Sequence, residues 1–475
     1  MICFGTILNC FSLNVNSFGE RIYLSIKLIL NPLINGVLVM LKIYLLFFLV
    51  IFTYQIYSQP KSETVTDRLL RYVKIDTQSQ EDATQTPSTQ KQFNLARLLV
   101  QELKDLGIQD ARVDSFCFVY GTLPGNLTGD NAAKVPAIGL IAHMDTSPAV
   151  SDSNVHPIIH KNYQGGNIVL PGDTTEVLTI AENPHLLNNI GTDIITTDGT
   201  TLLGGDDKAG IAEIMTVVQT LVNDPSIKHG TICIAFTPDE EEGTGVDKFD
   251  VKHFGATYAY TIDGTEVGEI NNETWNADAA TIIVHGKSFH PGDAKGKMVN
   301  AMYAAAYMLS HIPDNMKPET TEKKEGFIHP YMGTLDVEET RIKLLLRDFE
   351  VSGLEAQKKL LFTIRDEAMQ KFPGVTIDVN VTDDYRNMKL KLDKVPFVTD
   401  YALEACKRAG VTPLLIPIRG GTDGSNLTDI GLPCPNIFAG EENEHSKLEW
   451  TSVREMEKAV KTLQNLIEIW VEKNQ

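Results

Sequence analysis

Histidine and carboxylate side chains occur in this sequence where extended apolar runs end, a position suited to metal chemistry. His143 and Asp145 follow one such run, and side chains at positions i and i+2 of an extended segment share a face. Asp145 could therefore orient the His143 imidazole as a metal ligand. For this motif alone, an ordinary polar pair at a strand end explains the residues equally well.

Two adjacent carboxylates form the second group. Asp206 and Asp207 follow two glycines and precede a helical pattern. A carboxylate has two oxygens and can bridge two cations, which imidazole cannot readily do. The pair would also suit the N-terminus of a helix, where negative charge is favoured, and that interpretation suffices if these residues are taken alone.

Three further groups extend the pattern. Residues 239–242 are consecutive acids after a strand pattern, and their mutual repulsion could be offset by a bound dication or, alternatively, by solvent. Asp263 ends another strand pattern, and His445 lies in the loop after the last one. Together the five groups provide the mixed nitrogen and oxygen ligands that catalytic zinc favours. The sequence has no Gly-x-Ser-x-Gly elbow and no phosphate loop, so metal-assisted hydrolysis is the favoured chemistry.

The elements that must position these groups follow an α/β pattern. Continuous apolar runs alternate with helical segments, which indicates a mostly parallel sheet covered on both faces. Such sheets bind ligands beyond the carboxyl ends of their strands, where the acids and histidines lie. The predicted strands are 137–142, 231–237, 256–262 and 436–439, and the predicted helices are 64–74, 90–106, 209–222 and 397–409.

A second pattern interrupts this domain. Its β-α-β-α-β order predicts a smaller inserted α+β domain. The predicted elements are strands 280–285, 341–348 and 375–383 and helices 300–312 and 352–371. We therefore divide the globular chain into a catalytic domain in two parts, 60–272 and 393–475, and an inserted lid or dimerisation domain at 273–392.

Composition excludes some classes of partner. The 475 residues include 62 acidic and 42 basic side chains, and the formal net charge is −20. No basic run could follow a phosphate backbone, so we expect no nucleic acid partner. Four of the six cysteines are far apart in the sequence, form no Cys-x-x-Cys pair and are expected to be buried apolar residues. These are Cys117, Cys233, Cys406 and Cys434.

The N-terminal region differs from the rest. Residues 40–59 contain one lysine, an apolar run at 43–54 and a polar stretch before Pro60, which is the layout of a secretory signal peptide. The run is shorter than the about 20 residues that a spanning helix needs. We interpret Met40 as the translation start, 1–39 as an over-extended N-terminus, and the protein as exported to the periplasm or secreted. An uncleaved membrane anchor, a non-native segment and a cytoplasmic protein are the alternatives.

The segments 143–148, 196–210, 236–241, 290–296 and 418–424 together carry a family resemblance. They closely resemble peptidase T, a group of tripeptide aminopeptidases in the dinuclear zinc family that also contains aminoacylases and other exopeptidases. The resemblance runs from about residue 62 to the C-terminus. It implies a zinc-exopeptidase-like catalytic domain that releases the N-terminal residue from short peptides, chiefly tripeptides. The segments are His-Met-Asp-Thr-Ser-Pro (143–148), Thr-Thr-Asp-Gly-Thr-Thr-Leu-Leu-Gly-Gly-Asp-Asp-Lys-Ala-Gly (196–210), Phe-Thr-Pro-Asp-Glu-Glu (236–241), His-Pro-Gly-Asp-Ala-Lys-Gly (290–296) and Ile-Arg-Gly-Gly-Thr-Asp-Gly (418–424).

The same resemblance implies roles for individual residues. It implies two zinc ions per chain bridged by Asp206, with a cis peptide bond between Asp206 and Asp207. Glu240 matches the general base, and Asp145 matches the carboxylate behind a histidine ligand. Mn²⁺ or Co²⁺ could occupy the same ligands. The implied ligands are His143, Asp206 and Asp263 for one ion and Asp206, Glu241 and His445 for the other.

Three residues are predicted to contact the substrate. His290, in the inserted domain, matches a residue that stabilises the oxyanion of the transition state, either in its own chain or across a homodimer. Arg347 and Arg419 are placed to bind the C-terminal carboxylate of a peptide, because a guanidinium forks onto a carboxylate. A clamp at a fixed distance from the metals would limit peptide length. The alternatives are a surface histidine and structural salt bridges.

One loop departs from the family pattern. Residues 439–444 read Ala-Gly-Glu-Glu-Asn-Glu, where the family more often has glycine and aromatic residues. The extra acids could hold a substrate ammonium group or could be solvated, and we favour solvation. Two other functions stay open: a dipeptidase or N-acyl amino acid hydrolase of the same family, and a catalytically inactive secreted binding protein. The intact ligand and base positions argue against the second.

Overall fold

The computed structural model describes residues 62–129 and 132–474, together with a short antiparallel backbone pair, Val15–Ser17 and Glu20–Ile22. The predicted signal segment at 40–59 lies outside the described residues, as does all of 1–39 apart from that pair. Within the described part of the chain, no helix is long and apolar enough to cross a membrane.

Helices form wherever the sequence shows an amphipathic or apolar helical pattern. The second of them ends before Gly107, whose φ of +94° suits a left-handed helix terminus. The α-helices are α1 (Val65–Tyr72), α2 (Gln92–Asp105), α3 (Gly205–Asn223), α4 (Val251–Phe254), α5 (Ala301–Ser310), α6 (Val351–Lys371), α7 (Lys389–Leu392), α8 (Phe397–Arg408), α9 (Asp423–Asp429) and α10 (Val453–Lys473). Short 3₁₀ turns span Pro184–Asn189, Pro291–Asp293, Asp314–Met316 and Pro318–Thr320.

The strands divide among several sheets. They are β1 (Arg112–Val113), β2 (Val119–Leu123), β3 (Ile138–His143), β4 (Ile158–His160), β5 (Ile168–Val169), β6 (Val177–Leu178), β7 (Ile194–Thr196), β8 (Ile232–Thr237), β9 (Tyr258–Gly264), β10 (Glu269–Asn271), β11 (Asn276–His285), β12 (Phe327–Thr334), β13 (Glu339–Asp348), β14 (Thr376–Asp383), β15 (Leu414–Leu415), β16 (Asn436–Phe438), β17 (Glu441–Glu442) and β18 (Trp450–Ser452).

The main sheet has the order β15-β10-β16-β9-β3-β8-β2-β1. Its central strands β16, β9, β3 and β8 run parallel, and antiparallel pairs flank them. Both faces of the sheet are covered, because successive residues of one strand belong to hydrophobic cores on opposite faces. Leu140 packs with Ile214 of α3 in the larger core, whereas Ile141 packs with Phe254 of α4 on the other face. The predicted mixed, mostly parallel sheet in an α/β domain is confirmed.

The inserted segment builds an antiparallel sheet of its own, in the order β12-β13-β11-β14, with α5 and α6 packed against it. The predicted strands and helices are present, but β12 is additional, so the order is β-α-β-β-α-β. Pro330 and a register shift between Pro330 and Met332 interrupt the strand pattern there. A proline within a run is tolerated at a sheet edge, where β12 lies. The domain limits at 273 and 392 stay a prediction.

A third sheet supports the loop that carries His445. Its order is β17-β18-β7-β4, and it is antiparallel throughout. Trp450 of β18 is fully buried in a small core beneath it. The four cysteines named above are free and buried, as predicted.

Candidate active site

The carboxyl ends of the central strands converge on one site. β3 ends at His143, and in the parallel pair with β8 this residue lies opposite Thr237. The acids after β8 therefore emerge beside His143, and Asp263 lies near the end of β9, on the other side of β3. Register alone thus brings these residues to one edge of the sheet, as the sequence predicts.

Asp206 lies between two imidazoles. Its Oδ1 is 2.8 Å from Nε2 of His143, and its Oδ2 is 3.2 Å from Nε2 of His445. His445 Nε2 is also 2.9 Å from Oε2 of Glu241. On the other side, His143 Nε2 is 3.6 Å from Oδ1 of Asp263. The structure therefore brings together all five residues predicted as metal ligands, with Asp206 between two subsites.

Asp145 joins the ends of β3 and β8. Its carboxylate accepts hydrogen bonds from the backbone N–H groups of Glu240 at 3.0 Å and Glu241 at 3.3 Å. His143 Nδ1 is 3.0 Å from the Asp145 carbonyl oxygen and 3.5 Å from its Oδ1. Asp145 thus contacts the imidazole mainly through its backbone, while its side chain fixes the backbone of the acidic run.

The turn that carries Asp206 is held from several directions. The peptide bond between Asp206 and Asp207 is cis, as the resemblance implies, and neither residue has helical φ/ψ although both lie at the start of α3. Asp207 accepts hydrogen bonds from the backbone N–H groups of His143 and Gly210. Asp207 therefore links the end of β3 to the first turn of α3.

Glu449 also holds this turn, although no sequence pattern pointed to it. Its Oε2 accepts from the N–H groups of Leu203 and Gly204, both at 2.8 Å, and its Oε1 accepts from the N–H of Asp206 at 3.1 Å. Glu449 is 1% exposed. The one available signal was an acid between the apolar residues Leu448 and Trp450.

The donor set fits divalent metal ions. One atom each from His143, Asp206 and Glu241 lie within 4.8 Å of one another, and so do single oxygens of Asp206, Asp263 and Glu441. Among the described residues, Oε1 of Glu241 and Oε2 of Glu441 are buried without a hydrogen-bond partner. Buried carboxylates without partners are costly unless a cation is bound. The residues therefore suit two metal ions that share Asp206.

The pKa values of the site residues also indicate that this site favours positive charge. Burial opposes ionisation of Asp206, but hydrogen bonds from His143 and His445 outweigh burial and lower its pKa. The same contacts, led by those to Asp206 and Glu241, raise the pKa of His445 to about 11. Metal ions and protons therefore compete for these imidazoles, and the metal affinity of the site should depend on pH.

A cavity of about 370 Å³ opens on these residues. Glu240 lines it, and burial raises the pKa of its carboxyl well above the ordinary value. Glu441 lines it as well and is 2% exposed. The prediction that the acidic loop is solvated is therefore wrong for Glu441: its strand pairing in the third sheet turns the side chain inward. The lining consists of Asp206, Glu240, Glu241, Asp263, Thr265, Gly421, Thr422, Glu441, Glu444 and His445.

The predicted substrate residues lie outside this lining. His290 is exposed, and its Nδ1 accepts a hydrogen bond from the N–H of Gly292 in its own turn. Arg347 is half-buried, donates to the Asp278 carbonyl oxygen and lies 3.8 Å from the Asp384 carboxylate. The structure does not bring His290 to the metal ligands, and its predicted role stays a prediction.

Arg419 extends toward the inserted domain. Its guanidinium stacks 5.0 Å from the centre of the Trp275 ring and donates to the carbonyl oxygen of Lys323 and the hydroxyl of Thr321. Within the described residues, it makes no ion pair with a carboxylate. Its charge is therefore available to an anionic group.

Comparisons with known proteins agree with this geometry. The model of Peptidase family M20/M25/M40 matches residues 199–469. Peptidase T from Desulfitobacterium hafniense (strain Y51) is 49% identical over 411 residues, which cover 86% of this chain and 99% of the relative. The crystal structure of aminopeptidase PepT from Bacillus cereus ATCC 10987 has a TM-score of 0.67 at 25% identity and covers 87% of this chain and 99% of its own. A dinuclear metal-binding peptidase of family M20 from Bacillus subtilis shares the fold, with a TM-score of 0.57 at 14% identity over 86% of this chain and 99% of its own.

These matches define the class of protein. The chain shares the fold of an aminopeptidase structure over 87% of its length, and it belongs to Peptidase family M20/M25/M40. Within that family it belongs to the peptidase T group, whose members it matches over nearly their full length. It is therefore a hydrolase, and the resemblance found in the sequence is confirmed.

Proposed function

We propose that this protein is a tripeptide aminopeptidase with two zinc ions per chain. The observation that carries the proposal is Asp206, whose two oxygens face two imidazoles while Glu240 lines the adjoining cavity. The similarity to peptidase T of Desulfitobacterium hafniense and to aminopeptidase PepT of Bacillus cereus supports a peptide substrate.

Two residue sets would hold the metals: His143, Asp206 and Asp263 for one ion, and Asp206, Glu241 and His445 for the other. The chemistry that such ions supply when bound is Lewis-acid activation of a water and of the scissile carbonyl. Mn²⁺ or Co²⁺ could serve in place of zinc.

Glu240 is proposed as the general base. A carboxylate oxygen of Glu240 takes the proton of the attacking water and then gives it to the nitrogen of the leaving amine. Burial raises the pKa of this carboxyl, which makes its ionised form a stronger base. Asp145 fixes the backbone N–H of Glu240 at 3.0 Å and so orients the base.

Arg419 is proposed to bind the C-terminal carboxylate of the peptide. Its present acceptors are neutral, so a carboxylate would gain a charge-assisted contact without breaking an ion pair. Arg347 has Asp384 nearby and is the weaker candidate. The proposed contact of His290 with the oxyanion requires domain closure or a partner subunit, because His290 lies outside the cavity lining.

The test uses metal-stripped protein to which zinc is restored, with Ala-Ala-Ala as substrate and mass spectrometry as the readout. We expect free alanine plus Ala-Ala, and loss of this activity on metal removal. Glu240→Gln should lower kcat by about 10²- to 10⁴-fold while binding the same amount of metal. Turnover of dipeptides or acylated amino acids, with Ala-Ala-Ala left intact, would assign the alternative activity instead. A chain that binds metal and cleaves none of them would be a binding protein.

We also propose a homodimer formed through the inserted domain. β12 is an edge strand, and large apolar side chains project from it and the turn beyond: Tyr331, Met332 and Leu335 are 47%, 50% and 65% exposed. A second copy could cover this surface by pairing edge to edge. Sedimentation of wild type and Leu335→Glu would test it, since a monomeric wild type contradicts the proposal.

Export is a separate proposal that rests on the signal-like segment at 40–59. N-terminal sequencing of the protein recovered from its native cells should find a start near residue 60. An intact residue 41 would contradict cleavage.

A further inference from the structure

Glu441 belongs to the acidic loop at 439–444, which departs from the family pattern. Its backbone is fixed by β17, which pairs it with Thr451 of β18. The side chain packs against the turn that carries Asp206, because a Cβ added to Gly205 would lie 3.7 Å from the Glu441 Cβ. A rigid strand therefore holds this carboxylate at the wall of the cavity.

Three carboxylates meet at this point. One oxygen from each of Asp206, Asp263 and Glu441 lies within 4.8 Å of the other two. The side chain of Glu441 is almost fully buried, and its Oε2 has no hydrogen-bond partner among the described residues. Three carboxylates this close, one of them buried and unpartnered, are costly in their ionised form, and a bound dication would offset that cost.

The neighbouring acids differ from Glu441. Glu442 has a partner, since its Oε1 is 2.8 Å from Nδ1 of His185. Glu444 lines the same cavity, and its Oε1 is also buried without a hydrogen-bond partner, but none of its oxygens belongs to the group of three carboxylates. In the part of the chain that is described, no lysine or arginine lines the cavity. His445, the imidazole in that lining, contacts Asp206 and Glu241 and so pairs with carboxylates other than Glu441.

We propose that Glu441 is an additional metal ligand, and that it raises the affinity of the site for Mn²⁺ relative to Zn²⁺. This inference rests on the proposed two-metal function. With Glu441, the subsite of His143, Asp206 and Asp263 has one nitrogen and three carboxylate donors. Carboxylate oxygens suit Mn²⁺, whereas a larger share of imidazole suits Zn²⁺.

The test measures metal binding without activity. The purified protein is stripped with a chelator and dialysed against buffered Mn²⁺ or Zn²⁺, and metal per chain is determined by mass spectrometry. Glu441→Gln keeps the size of the side chain and removes a buried charge, so the fold should persist. Glu444→Gln is the matched control from the same loop and cavity. Electron paramagnetic resonance of Mn²⁺ provides a second readout, because bound and free ions differ in their spectra.

We expect two metals per chain in wild type. Glu441→Gln should weaken Mn²⁺ binding at least about tenfold and Zn²⁺ binding less, and Glu444→Gln should change neither. Equal affinities of wild type and Glu441→Gln for both metals would overturn the inference. This holds also if KM for Ala-Ala-Ala rises in the variant, since Glu441 would then bind the peptide ammonium group instead of a metal. Equal losses for the two metals would overturn the metal preference. A wild type that fails to bind two metals would instead defeat the proposed function.

Discussion

Glu449 fixes the backbone of Asp206: its Oε1 accepts a hydrogen bond from the Asp206 backbone N–H at 3.1 Å. The other oxygen of Glu449 accepts hydrogen bonds from two earlier N–H groups of the same turn, those of Leu203 and Gly204. Three donors on one buried carboxylate leave little freedom to the residue that is proposed to bridge two metals. The position of Asp206 is thus set by a residue close to the last helix, far away in the sequence.

We expect Glu449→Gln to weaken metal binding although residue 449 is not a proposed ligand. The amide would present an NH₂ group to a backbone N–H, so at least one hydrogen bond of the turn is lost. Residues behind metal ligands typically contribute 10- to 100-fold to metal affinity, and we expect a loss in this range by metal titration. Glu457→Gln, an exposed change on α10, is the control. Unchanged affinity in Glu449→Gln would show that the turn holds Asp206 without it.

The sequence predicts well that His143, Glu241 and Asp263 come together, because their positions depend on strand order. Each of His143, Glu241 and Asp263 lies at the end of a strand or just after it, and parallel strands carry such residues to one edge. The spacing and the length of the apolar runs in the sequence are enough to predict those strands. No knowledge of side-chain packing is needed for this prediction.

The remaining features depend on contacts that a sequence pattern does not encode. Glu449 binds N–H groups some 245 positions away, so no local signal marks it. The inward direction of Glu441 results from the pairing of two very short strands, β17 and β18. β12 was missed because Pro330 breaks the alternation that marks a strand, and only the sheet edge makes that proline acceptable.

Arg419 should contribute to recognition of the free carboxyl terminus of a peptide. A charge-assisted hydrogen bond contributes about 1.5–3 kcal/mol, so Arg419→Met should lower kcat/KM for Ala-Ala-Ala by about 10- to 100-fold. Turnover of the C-terminal amide of the same peptide should change little. Arg347→Met is the comparison, because Asp384 already faces that guanidinium. Equal losses on acid and amide would indicate that Arg419 only supports Trp275 and the inserted domain.

Gly210 should be irreplaceable for steric reasons. A Cβ at this position would lie 1.9 Å from the carbonyl oxygen of Ile262 and 2.3 Å from Oδ1 of Asp207. Gly210→Ala should therefore push α3 away from β9 and separate Asp206 from Asp263. We expect a loss of stability of about 1–3 kcal/mol or more in urea unfolding, together with weaker metal binding.

The control for Gly210 is Gly420→Ala, where the nearest atom, Cγ2 of Ile418, would be at an ordinary contact distance of 3.5 Å. Its stability should match wild type. A Gly210→Ala protein that is as stable as this control would mean that α3 and β9 can separate at little cost.

Glu213 on α3 should make the stability of the metal-free protein depend on pH. It is fully buried, and neither carboxylate oxygen has a hydrogen-bond partner among the described residues. Burial raises the pKa of this carboxyl well above its ordinary value of 4.5, and the nearby charge of Asp207 adds to the shift. Because the folded-state pKa of Glu213 lies above its unfolded-state pKa, the contribution of this carboxyl to the free energy of unfolding is complete below the unfolded-state pKa. That contribution is lost as the pH rises through the folded-state pKa.

Glu213→Gln removes this titration. We expect its melting temperature to be close to that of wild type at pH 5 and higher than that of wild type at pH 8.5, by scanning calorimetry of metal-free protein. Each unit of raised pKa corresponds to about 1.4 kcal/mol. Glu367→Gln, an exposed change on α6, should shift neither value. A Glu213→Gln protein that is less stable than wild type at pH 8.5 would show that Glu213 is ionised there and stabilised by a charge or hydrogen bond in the fold.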